Sequence, residues 1–537
     1  VERYADMMRD VVALVKSYDG SLKAEHGTGR NMAPFVKDEW GEDAFRIMQE
    51  LKDIFDPEHL LNPGVIFNDD PNCFIEHLKQ LPKLDFDFDH LPDGVKYATA
   101  MAARQSSTQE MIEGVRRANK CIECGFCEVN CLSCGLTLSS RMRIASQREI
   151  MRLKSTGNPE DMRHARRLEK LYRYYGNQTC AADGLCATSC PMKINTGDLT
   201  HLLRQNIMDD SPAAYKVGDF AAKHMRGIEN VVRRVLDVAN LAHTVLGTKT
   251  MSAITQAMHK TGVPLWTPAM PKAHYLHEEL LQEAKVAGSD KSGSSDAGQS
   301  AGTEPLRFVY FPSCLNQTMG LSKGAPVKKT VVGEMVELAR KAHYEVVFPK
   351  NMRSLCCGQI WESKGMMDIA DRKTAELERA LYEASEGGKL PVLCDQSPCL
   401  HRMRKMMTRV QLYEPTEFIL KFLKPRLHFH QLHRTVAVHT TCSMREMGLM
   451  DDLIELASLC ADKVIVPEGV GCCGFAGDRG FIHPEMNRYA LRHLREEIEA
   501  NHVEVGYSNS RTCEIGLQYH SGIPYMSIAY LVNEATD

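Results

Sequence analysis

The residues best suited to do chemistry in this chain are its cysteines. The chain has 19 cysteines among 537 residues, and seven of them form two closely spaced motifs. The motifs are Cys121-x2-Cys124-x2-Cys127-x3-Cys131 and Cys180-x5-Cys186-x3-Cys190-Pro191. The first has the spacing of a cubane iron–sulfur loop, in which three thiolates bind one cluster and the fourth binds a companion cluster. The spacing predicts a two-cluster ferredoxin module.

This crossing arrangement gives two ligand sets. The first set is Cys121, Cys124, Cys127 and Cys190, and the second is Cys131, Cys180 and Cys186. Asp183 stands where the second set would have its remaining cysteine. Three alternatives remain for the fourth ligand of the second set: Asp183, a solvent molecule, or no ligand at all. Cys134 is a further candidate that could take the place of Asp183. Structural zinc is the alternative for either set, because four thiolates also suit that ion.

A second cysteine pattern occurs twice after residue 305. Each copy has a lone cysteine, a Cys-Cys-Gly triplet about 30 to 40 residues later, and further cysteine after a similar interval. The cysteines of copy one (306–430) are Cys314, Cys356, Cys357, Cys394 and Cys399, and those of copy two (431–537) are Cys442, Cys472, Cys473 and Cys513. Adjacent Cα atoms lie ~3.8 Å apart, too close for a disulfide. The vicinal thiols are therefore predicted to bind metal, with the glycine letting the backbone pass close to it.

Short β-rich runs precede these cysteines and indicate how they are positioned. The runs are 308–311, 346–348, 392–393, 436–438, 464–466 and 503–505. Helical stretches separate them, so each copy is predicted to be a small α/β unit. Because ligands collect beyond the carboxyl ends of parallel strands, the cysteines are expected to converge at one edge of a sheet.

The remaining sequence divides into further parts. We expect a compact unit at 1–80, a helical cysteine-bearing module at 101–210, a helical connector at 211–286 and a Gly/Ser linker at 287–305. The predicted fold class is multidomain, α+β and α/β. The start at Val1, inside a helical pattern, indicates a fragment or a processed chain.

Composition excludes several classes of protein. Apolar residues make up 43% and charged residues 25% of the chain, as in soluble globular proteins. A net charge of −4 argues against a nucleic-acid partner. No run approaches the ~20 apolar residues that span a bilayer, and no signal peptide opens the chain. We expect a cytoplasmic protein, free or peripheral on the inner membrane, and a mitochondrial one if the source is eukaryotic.

Three other features carry two interpretations each. The basic run 141–173 is predicted to be a solvated helical face, with docking of an acidic partner or a membrane as the alternative. His439 is either a hydrogen-bonded side chain at a strand end or an extra metal ligand. Cys460 lies on an apolar helical stretch, and core packing is the default for it.

Two segments of the amino-terminal unit carry a resemblance to a known family. They are Ser21-Leu-Lys-Ala-Glu-His-Gly-Thr-Gly-Arg30 and Asp56-Pro57 through Leu61-Asn62-Pro63-Gly64. They resemble the carboxy-terminal signature of FAD-linked oxidases of the vanillyl-alcohol-oxidase type. The Cys-Cys-Gly copies resemble the cysteine-rich domain of heterodisulfide reductase and the glycolate oxidase iron–sulfur subunit, except that Gly516 stands where copy two should have its last cysteine. The whole order is similar to the fused FAD/iron–sulfur D-lactate dehydrogenases.

The resemblance implies an oxidoreductase of 2-hydroxy acids. It makes His26 the base that takes the hydroxyl proton, and Glu25 a ligand to a divalent metal such as zinc. Arg30 and Asn62 would line the flavin or the substrate carboxylate. It implies oxidation of a D-2-hydroxy acid, with D-lactate, which gives pyruvate, as the preferred candidate substrate. Electrons would then pass through 4Fe–4S clusters to a quinone or cytochrome.

The family's FAD-binding domain precedes this tail and is missing from the chain. The flavin-binding half then belongs either to the same gene product or to a separate subunit. The alternative function is a non-catalytic iron–sulfur electron-transfer subunit of a glycolate oxidase or D-2-hydroxyglutarate dehydrogenase type complex. A zinc-stabilised scaffold is a third interpretation.

Overall fold

The structure is a computed structural model of the chain. It describes residues 2–22, 29–78, 81–86, 106–259, 262–276, 306–322 and 325–537. By internal contacts the chain divides into two units, Val1–Leu81 and Pro82–Asp537. Among the described helices, none has both the length and the apolar character required to cross a membrane.

The amino-terminal unit is a small helical assembly. Its helices are Glu2–Ser17, Gly29–Met32, Ala33–Phe35 (a 3-10 turn) and Val36–Phe55. Ala5, Met8 and Val12 of the first helix pack against Phe35 and Phe74. These residues recur at helical spacing, which gives the first helix one apolar face.

The cysteine motifs of the second unit lie between capped helices. These helices are Ser107–Ala118, Ser140–Ser155, Pro159–Tyr172 and Thr196–Asp209. In each case the preceding Ser or Asn side chain accepts a hydrogen bond from a backbone N–H of the first turn. The cysteine loops contain the 3-10 turns Phe126–Asn130 and Leu185–Ala187, and a π-helical turn, Arg173–Gln178, follows the third helix.

The sequence predicted a helical connector. The described part of the connector is instead helical only as far as His259 and then contains a strand. Helices Pro212–Lys223 and Met225–His259 are followed by a strand, β1 (Pro271–Ala273), which pairs antiparallel with β3 (Met319–Ser322) of copy one. Prolines at 264, 268 and 271 disfavour a helix there. The predicted Gly/Ser linker at 287–305 lies outside the described residues.

Each copy contains a four-stranded parallel sheet. Copy one has β2 (Leu306–Phe311), β4 (Tyr344–Val347), β5 (Val392–Cys394) and β6 (Leu412–Tyr413), in the order β4-β2-β5-β6. Copy two has β7 (Leu432–Val438), β8 (Ala461–Ile465), β9 (Val505–Tyr507) and β10 (Tyr525–Met526), in the order β10-β9-β7-β8. In both sheets the first strand lies between the second and the third. A crevice opens at this reversal of strand order.

Short helices connect the strands and cover the sheets. In copy one they are Cys314–Thr318, Val331–Lys341, Met352–Ser354, Gln359–Ser363, Met367–Ala384, Ser397–Met406, Pro415–Phe418, Ile419–Leu423 and Lys424–Arg426. In copy two they are Cys442–Glu446, Met450–Cys460, Arg479–Ile482, Pro484–Ala490, Leu494–Ala500, Arg511–Ser521 and Ile528–Glu534. One hydrophobic core joins the copies, since Phe308 and Leu338 share it with Val436, Leu453 and Val532.

The predicted β-rich runs coincide with strands to within a few residues. The sequence did not indicate the fourth strands, β6 and β10, which are two residues long each and lie at sheet edges. Strands this short leave little period-two pattern to detect.

Candidate metal centres

The two ferredoxin-type motifs fold into loops of the same conformation. Glu123 and Ala182 both have positive φ, and each donates its backbone N–H to the cysteine two residues earlier at 3.4 Å. Gly125 and Gly184 follow with φ of 92° and 74°, and a 3-10 turn begins after each. This register places Asp183 at the position that Cys124 has in the first loop.

The first ligand set comes together at the start of the module. Cys127 lies close enough to Cys121 and Cys190 for their charges to interact, and Cys121 has the same relation to Cys124. Burial raises the pKa of the Cys121 and Cys127 thiols. Cys124 is solvent-exposed. The four side chains therefore face one another across the two loops.

The second ligand set surrounds a small cavity of about 10 Å³ that is partly open to solvent. Its lining includes Cys131, Cys180, Cys186 and Asp183. Cys134 is not part of this lining, and its carbonyl instead accepts a hydrogen bond from Tyr489 at 3.0 Å. The structure thus favours Asp183 over Cys134 at the open position.

Arg143 lines the same cavity and is 1% exposed. It donates to the Gly176 and Thr179 carbonyls at 2.7 and 3.2 Å and to the Cys131 Sγ at 3.5 Å. Burial opposes ionisation of the Cys180 thiol, but the positive charges of Arg143 and Arg204 lower its pKa. This charge stabilises the thiolate form that binds metal.

The prediction that the basic run is a solvated face is wrong for two of its residues. Arg143 is buried as described, and Arg148 is buried against Glu123 at 3.2 Å and the Asn119 carbonyl at 3.2 Å. Both point inward because their helix has cysteine loops on that side. Arg152, Arg166 and Arg167 are exposed. Charge alone does not show which arginines of a helix face its partner loops.

In copy one, four cysteines form a continuous chain of contacts at the carboxyl ends of the strands. Cys314 begins the short helix after β2, capped by Ser313. Its thiol lies beside that of Cys356, the Cys356 thiol beside that of Cys357, and the Cys357 thiol beside that of Cys399, and each neighbour shifts the pKa of the next. Cys394, at the end of β5, is buried beside Cys399, and burial raises its thiol pKa well above the usual value.

Copy two repeats this arrangement. Cys442 begins the helix after β7, capped by Thr441, and its thiol lies beside that of Cys472, whose pKa it raises. The Cys473 and Cys513 sulfurs lie 3.0 Å apart. Cys513 is the third residue of its helix, as Cys399 is in copy one. By the same register Ser508 corresponds to Cys394 and Gly516 to Arg402. The thiol that copy two lacks is therefore at Ser508, and not at Gly516 as the sequence had indicated.

Arg402 is 2% exposed and supports the Cys-Cys-Gly turn of copy one. It donates to the Cys357 carbonyl at 2.9 Å and pairs with Glu362 at 2.6 Å and Asp371 at 2.9 Å. In copy two the Cys473 carbonyl accepts from Asn487 at 2.5 Å. A buried side chain thus satisfies the same carbonyl in both copies, and sequence spacing did not indicate either residue.

His439 is a buried side chain at the end of β7. Its Nδ1 lies 3.1 Å from the Ser508 hydroxyl, and no described residue makes a hydrogen bond to its Nε2. Burial lowers the pKa of the imidazole to about 3. It is therefore neutral at physiological pH. Cys460 lies in the shared hydrophobic core, as expected for a packing residue.

The amino-terminal unit brings its two signature segments together. The Arg30 guanidinium donates to the Pro63 carbonyl at 3.3 Å, next to Asn62. Asp56 ends the preceding helix, and its carboxylate accepts from the Leu60 and Leu61 backbone N–H groups at 2.9 Å. Lys52 contacts Asp56 and lowers the pKa of that carboxyl to about 2. Glu25 and His26 lie outside the described residues.

The ligand sets are spread over several positions. Within the described ranges, no three His, Cys, Asp or Glu side chains converge as ligands of one metal ion. In a cubane cluster each thiolate binds a different iron, so its ligands do not meet at one point. The cavity beside Cys131, Cys180 and Cys186 has the sulfur lining that such a cluster needs.

Comparison with known proteins agrees with these three kinds of site. Residues 1–66 match the family described as "FAD linked oxidases, C-terminal domain", and residues 117–194 match the "4Fe-4S dicluster domain". Residues 308–404 and 436–518 both match the "Cysteine-rich domain". The chain is a multidomain α/β protein with parallel sheets, and iron–sulfur clusters and FAD are its cofactor classes.

Individual relatives cover different parts of the chain. Lactate utilization protein A 1 of Bacillus mycoides is 24% identical over 222 residues, which are 37% of this chain and 89% of that protein. Mitochondrial D-lactate dehydrogenase [cytochrome] of Kluyveromyces lactis is 41% identical over 54 residues, 10% of this chain and 9% of that protein. D-lactate dehydrogenase of Anaerostipes hadrus is 34% identical over 65 residues, 12% of this chain and 14% of that protein. Segment by segment, these matches are similar to the parts of fused FAD/iron–sulfur lactate dehydrogenases.

Proposed function

We propose that the chain is the carboxy-terminal, electron-transferring part of an FAD-linked D-lactate dehydrogenase. The proposed reaction is oxidation of D-lactate to pyruvate, with a quinone or cytochrome as the final acceptor. The observation that carries the proposal is the cavity lined by Cys131, Cys180, Cys186 and Asp183, with Arg143 beside it. The D-lactate dehydrogenases named above support the choice of substrate.

The two ferredoxin-type sets would each hold one 4Fe–4S cluster. The first would use Cys121, Cys124, Cys127 and Cys190, and the second Cys131, Cys180, Cys186 and Asp183. Backbone N–H groups donate to Cys180 and to Cys186, each at 3.4 Å, and stabilise thiolate charge. When bound, such clusters accept and release single electrons. The copies would hold further centres through the ligands Cys314, Cys356, Cys357, Cys394, Cys399, Cys442, Cys472, Cys473 and Cys513.

The amino-terminal unit would complete the hydroxy-acid site. His26 would take the substrate hydroxyl proton, Glu25 would bind a divalent metal such as zinc, and Arg30 and Asn62 would hold the flavin or the substrate carboxylate. FAD, when bound, supplies the acceptor for the substrate hydride. Leu60 and Leu61 beside Asn62 are 75% and 62% exposed, an apolar surface that fits a partner domain. That domain would be the flavin-binding half.

A direct test uses the chain together with its flavin-binding half, purified without oxygen. We expect D-lactate to bleach the visible iron–sulfur absorbance, and L-lactate to leave it unchanged. Cys180→Ser should retain flavin reduction by D-lactate but lose electron delivery to the acceptor. Equal bleaching by L-lactate, or bleaching only by glycolate or 2-hydroxyglutarate, would contradict the proposed substrate.

A second candidate is an electron-transfer subunit that docks on a separate flavoprotein. The observation that favours it is the Bacillus mycoides relative, nearly all of which is matched by 222 residues of this chain. Expression of the gene with its upstream sequence distinguishes the two. A single polypeptide containing both parts supports the fused enzyme, and two associated polypeptides support the subunit.

A further inference from the structure

The loop that carries Asp183 contacts copy two at three consecutive residues. The Asp183 carboxylate lies beside the Cys472 thiol, near enough for the two groups to shift each other's pKa. Gly184 has φ +74°, and a Cβ there would overlap the Glu446 carboxylate of the helix that begins with Cys442. The Leu185 side chain lies beside Gly471, directly before Cys472. The loop therefore fits against the Cys-Cys-Gly turn itself.

The residues in this contact belong to both sites. Asp183 lines the cavity together with Cys180 and Cys186. Cys472 in turn lies beside Cys442 in copy two. The residues next to Asp183 and Cys472 are in contact, so the ligand sets of the two sites are adjacent.

Further hydrogen bonds hold copy two against the same side of the module. Tyr489 donates to the Cys134 carbonyl at 3.0 Å, and Arg479 donates to the Gln178 carbonyl at 2.7 Å. Tyr174 donates to the Glu485 carboxylate at 2.7 Å. Gly135 permits this approach, because a Cβ there would overlap the Tyr489 hydroxyl. The contact is thus fixed on both sides of the cavity.

Copy one also forms hydrogen bonds with the helical module. Among the described residues, these bonds do not involve the side chains of either ferredoxin-type ligand set. Arg204 donates to the Ser363 carbonyl at 3.0 Å and to the Cys180 carbonyl at 2.8 Å. Ser107 donates its backbone N–H to Asp371 at 3.1 Å and its hydroxyl to the other oxygen. These contacts position copy one, and Arg204 joins the Cys180 carbonyl to the end of the helix that follows the Cys-Cys-Gly turn of copy one.

We propose that copy two, and not copy one, is the direct redox partner of the second ligand set, with the Asp183–Cys472 contact as the point of exchange. The inference rests on the proposed function, in which both sites hold iron–sulfur centres. A centre held by Cys131, Cys180 and Cys186 would give one electron at a time to a centre held by copy two, the first being oxidised as the second is reduced. No bond to the protein breaks, and the electron balance requires no proton.

The test is electron paramagnetic resonance of the full chain, reconstituted anaerobically with ferrous iron and sulfide. Cys180→Ser identifies the signal of the second ligand set. In the partly reduced wild type, we expect this signal to be split by the centre in copy two. Cys473→Ser removes that centre and should abolish the splitting. The matched variant in copy one, Cys357→Ser, should leave it intact.

Cys513→Ser and its counterpart Cys399→Ser provide a second pair, in case Cys473→Ser does not fold. Loss of splitting in Cys513→Ser alone supports the proposal. Splitting that survives both copy-two variants, or that disappears in the copy-one variants, would overturn it, as would its absence from fully loaded wild type. Iron and acid-labile sulfide counts are taken first, because absence of clusters from the wild type contradicts the proposed function itself.

Discussion

The two Cys-Cys-Gly copies share most of a ligand framework and differ in the residues around it. They share the sheet order and four contacting cysteines, each set beyond the carboxyl ends of the strands. Among the differences, copy one has Cys394, Phe311 and Arg402 where copy two has Ser508, His439 and Gly516. The four shared cysteines are candidate metal ligands in both copies, while Cys394 is a further candidate that copy two lacks. The comparison therefore shows that most of the ligand framework is repeated while its support is not.

The support differs because the copies face different surroundings. In copy one, Arg402 connects the Cys357 carbonyl to Glu362, Asp371 and the Ser107 hydroxyl of the helical module. In copy two, the side chain that donates to the Cys473 carbonyl is the neutral Asn487. The Cys-Cys-Gly turn of copy one is therefore supported by ion pairs, whereas that of copy two is supported by a neutral amide and lies beside Asp183.

The largest expected effect comes from Arg402→Leu. The change leaves the Glu362 and Asp371 carboxylates without their cation and the Cys357 carbonyl short of one hydrogen bond, and breaking such a buried pair costs about 3–5 kcal/mol. We expect a matching fall in the urea midpoint, followed by tryptophan fluorescence, since Trp361 lies in copy one. Lys405→Ala on the same helix is the control. Lys405 is 43% exposed, and its ion pair with Glu110 is long, at 3.8 Å, so its loss should cost little. Equal loss in both variants would refute the role of the Arg402 network.

Gly516→Ala should have an intermediate effect in copy two. The new Cβ would lie 2.6 Å from the Asn487 Nδ2 and 2.9 Å from Phe475. Overpacking of this kind costs about 1–3 kcal/mol. Urea unfolding of the metal-free chain measures the loss. Gly227→Ala, in a helix with open space around it, is the matched control and should be neutral or stabilising. A neutral Gly516→Ala would show that copy two is loosely packed.

Glu485 gives the smallest effect, which depends on pH. Burial raises the pKa of this carboxyl, but hydrogen bonds from His483 and Tyr174 outweigh burial and lower it from 4.5 to about 2. The ionised group therefore adds stability above pH 4.5, and this contribution is lost as the pH falls toward 2.

Glu485→Gln should remove this dependence. The stability difference between wild type and variant is expected to be largest at neutral pH and to shrink below pH 4.5, measured by urea unfolding over that range. Glu496→Gln, at an 83% exposed carboxyl, should show no such trend. A constant difference for Glu485→Gln would mean that its hydrogen bonds do not favour the ionised form.

Sequence spacing indicated most of what positions the cysteines. Strand runs before Cys314 and Cys442, the repeat itself and the place of Asp183 in its loop follow from local pattern, because these features depend on neighbours in the chain. The exchange of Cys394 for Ser508 became clear only from helix register. The family's closing Cys-x2-Cys spacing, counted forward from Cys513, had instead placed the missing cysteine of copy two at Gly516.

The supporting residues could not be predicted in the same way. Arg143 and Arg148 lie on a helix whose Arg141 is half-buried and whose Arg152 is exposed, and only the cysteine loops packed against it decide which of them are buried. The Asp183–Cys472 contact joins residues nearly 300 positions apart in sequence. Such contacts arise from tertiary packing, for which a single sequence carries no local signal.

The central claim is that these cysteines hold iron–sulfur clusters, and the most direct test is to count iron and acid-labile sulfide in the anaerobically reconstituted chain. Two cubane clusters in the ferredoxin module alone predict at least ~8 of each per chain. Cys180→Ser should lower both counts, while Cys134→Ser, outside the cavity, should leave them unchanged. Reconstituted protein with no acid-labile sulfide and no reducible paramagnetic signal would contradict the account.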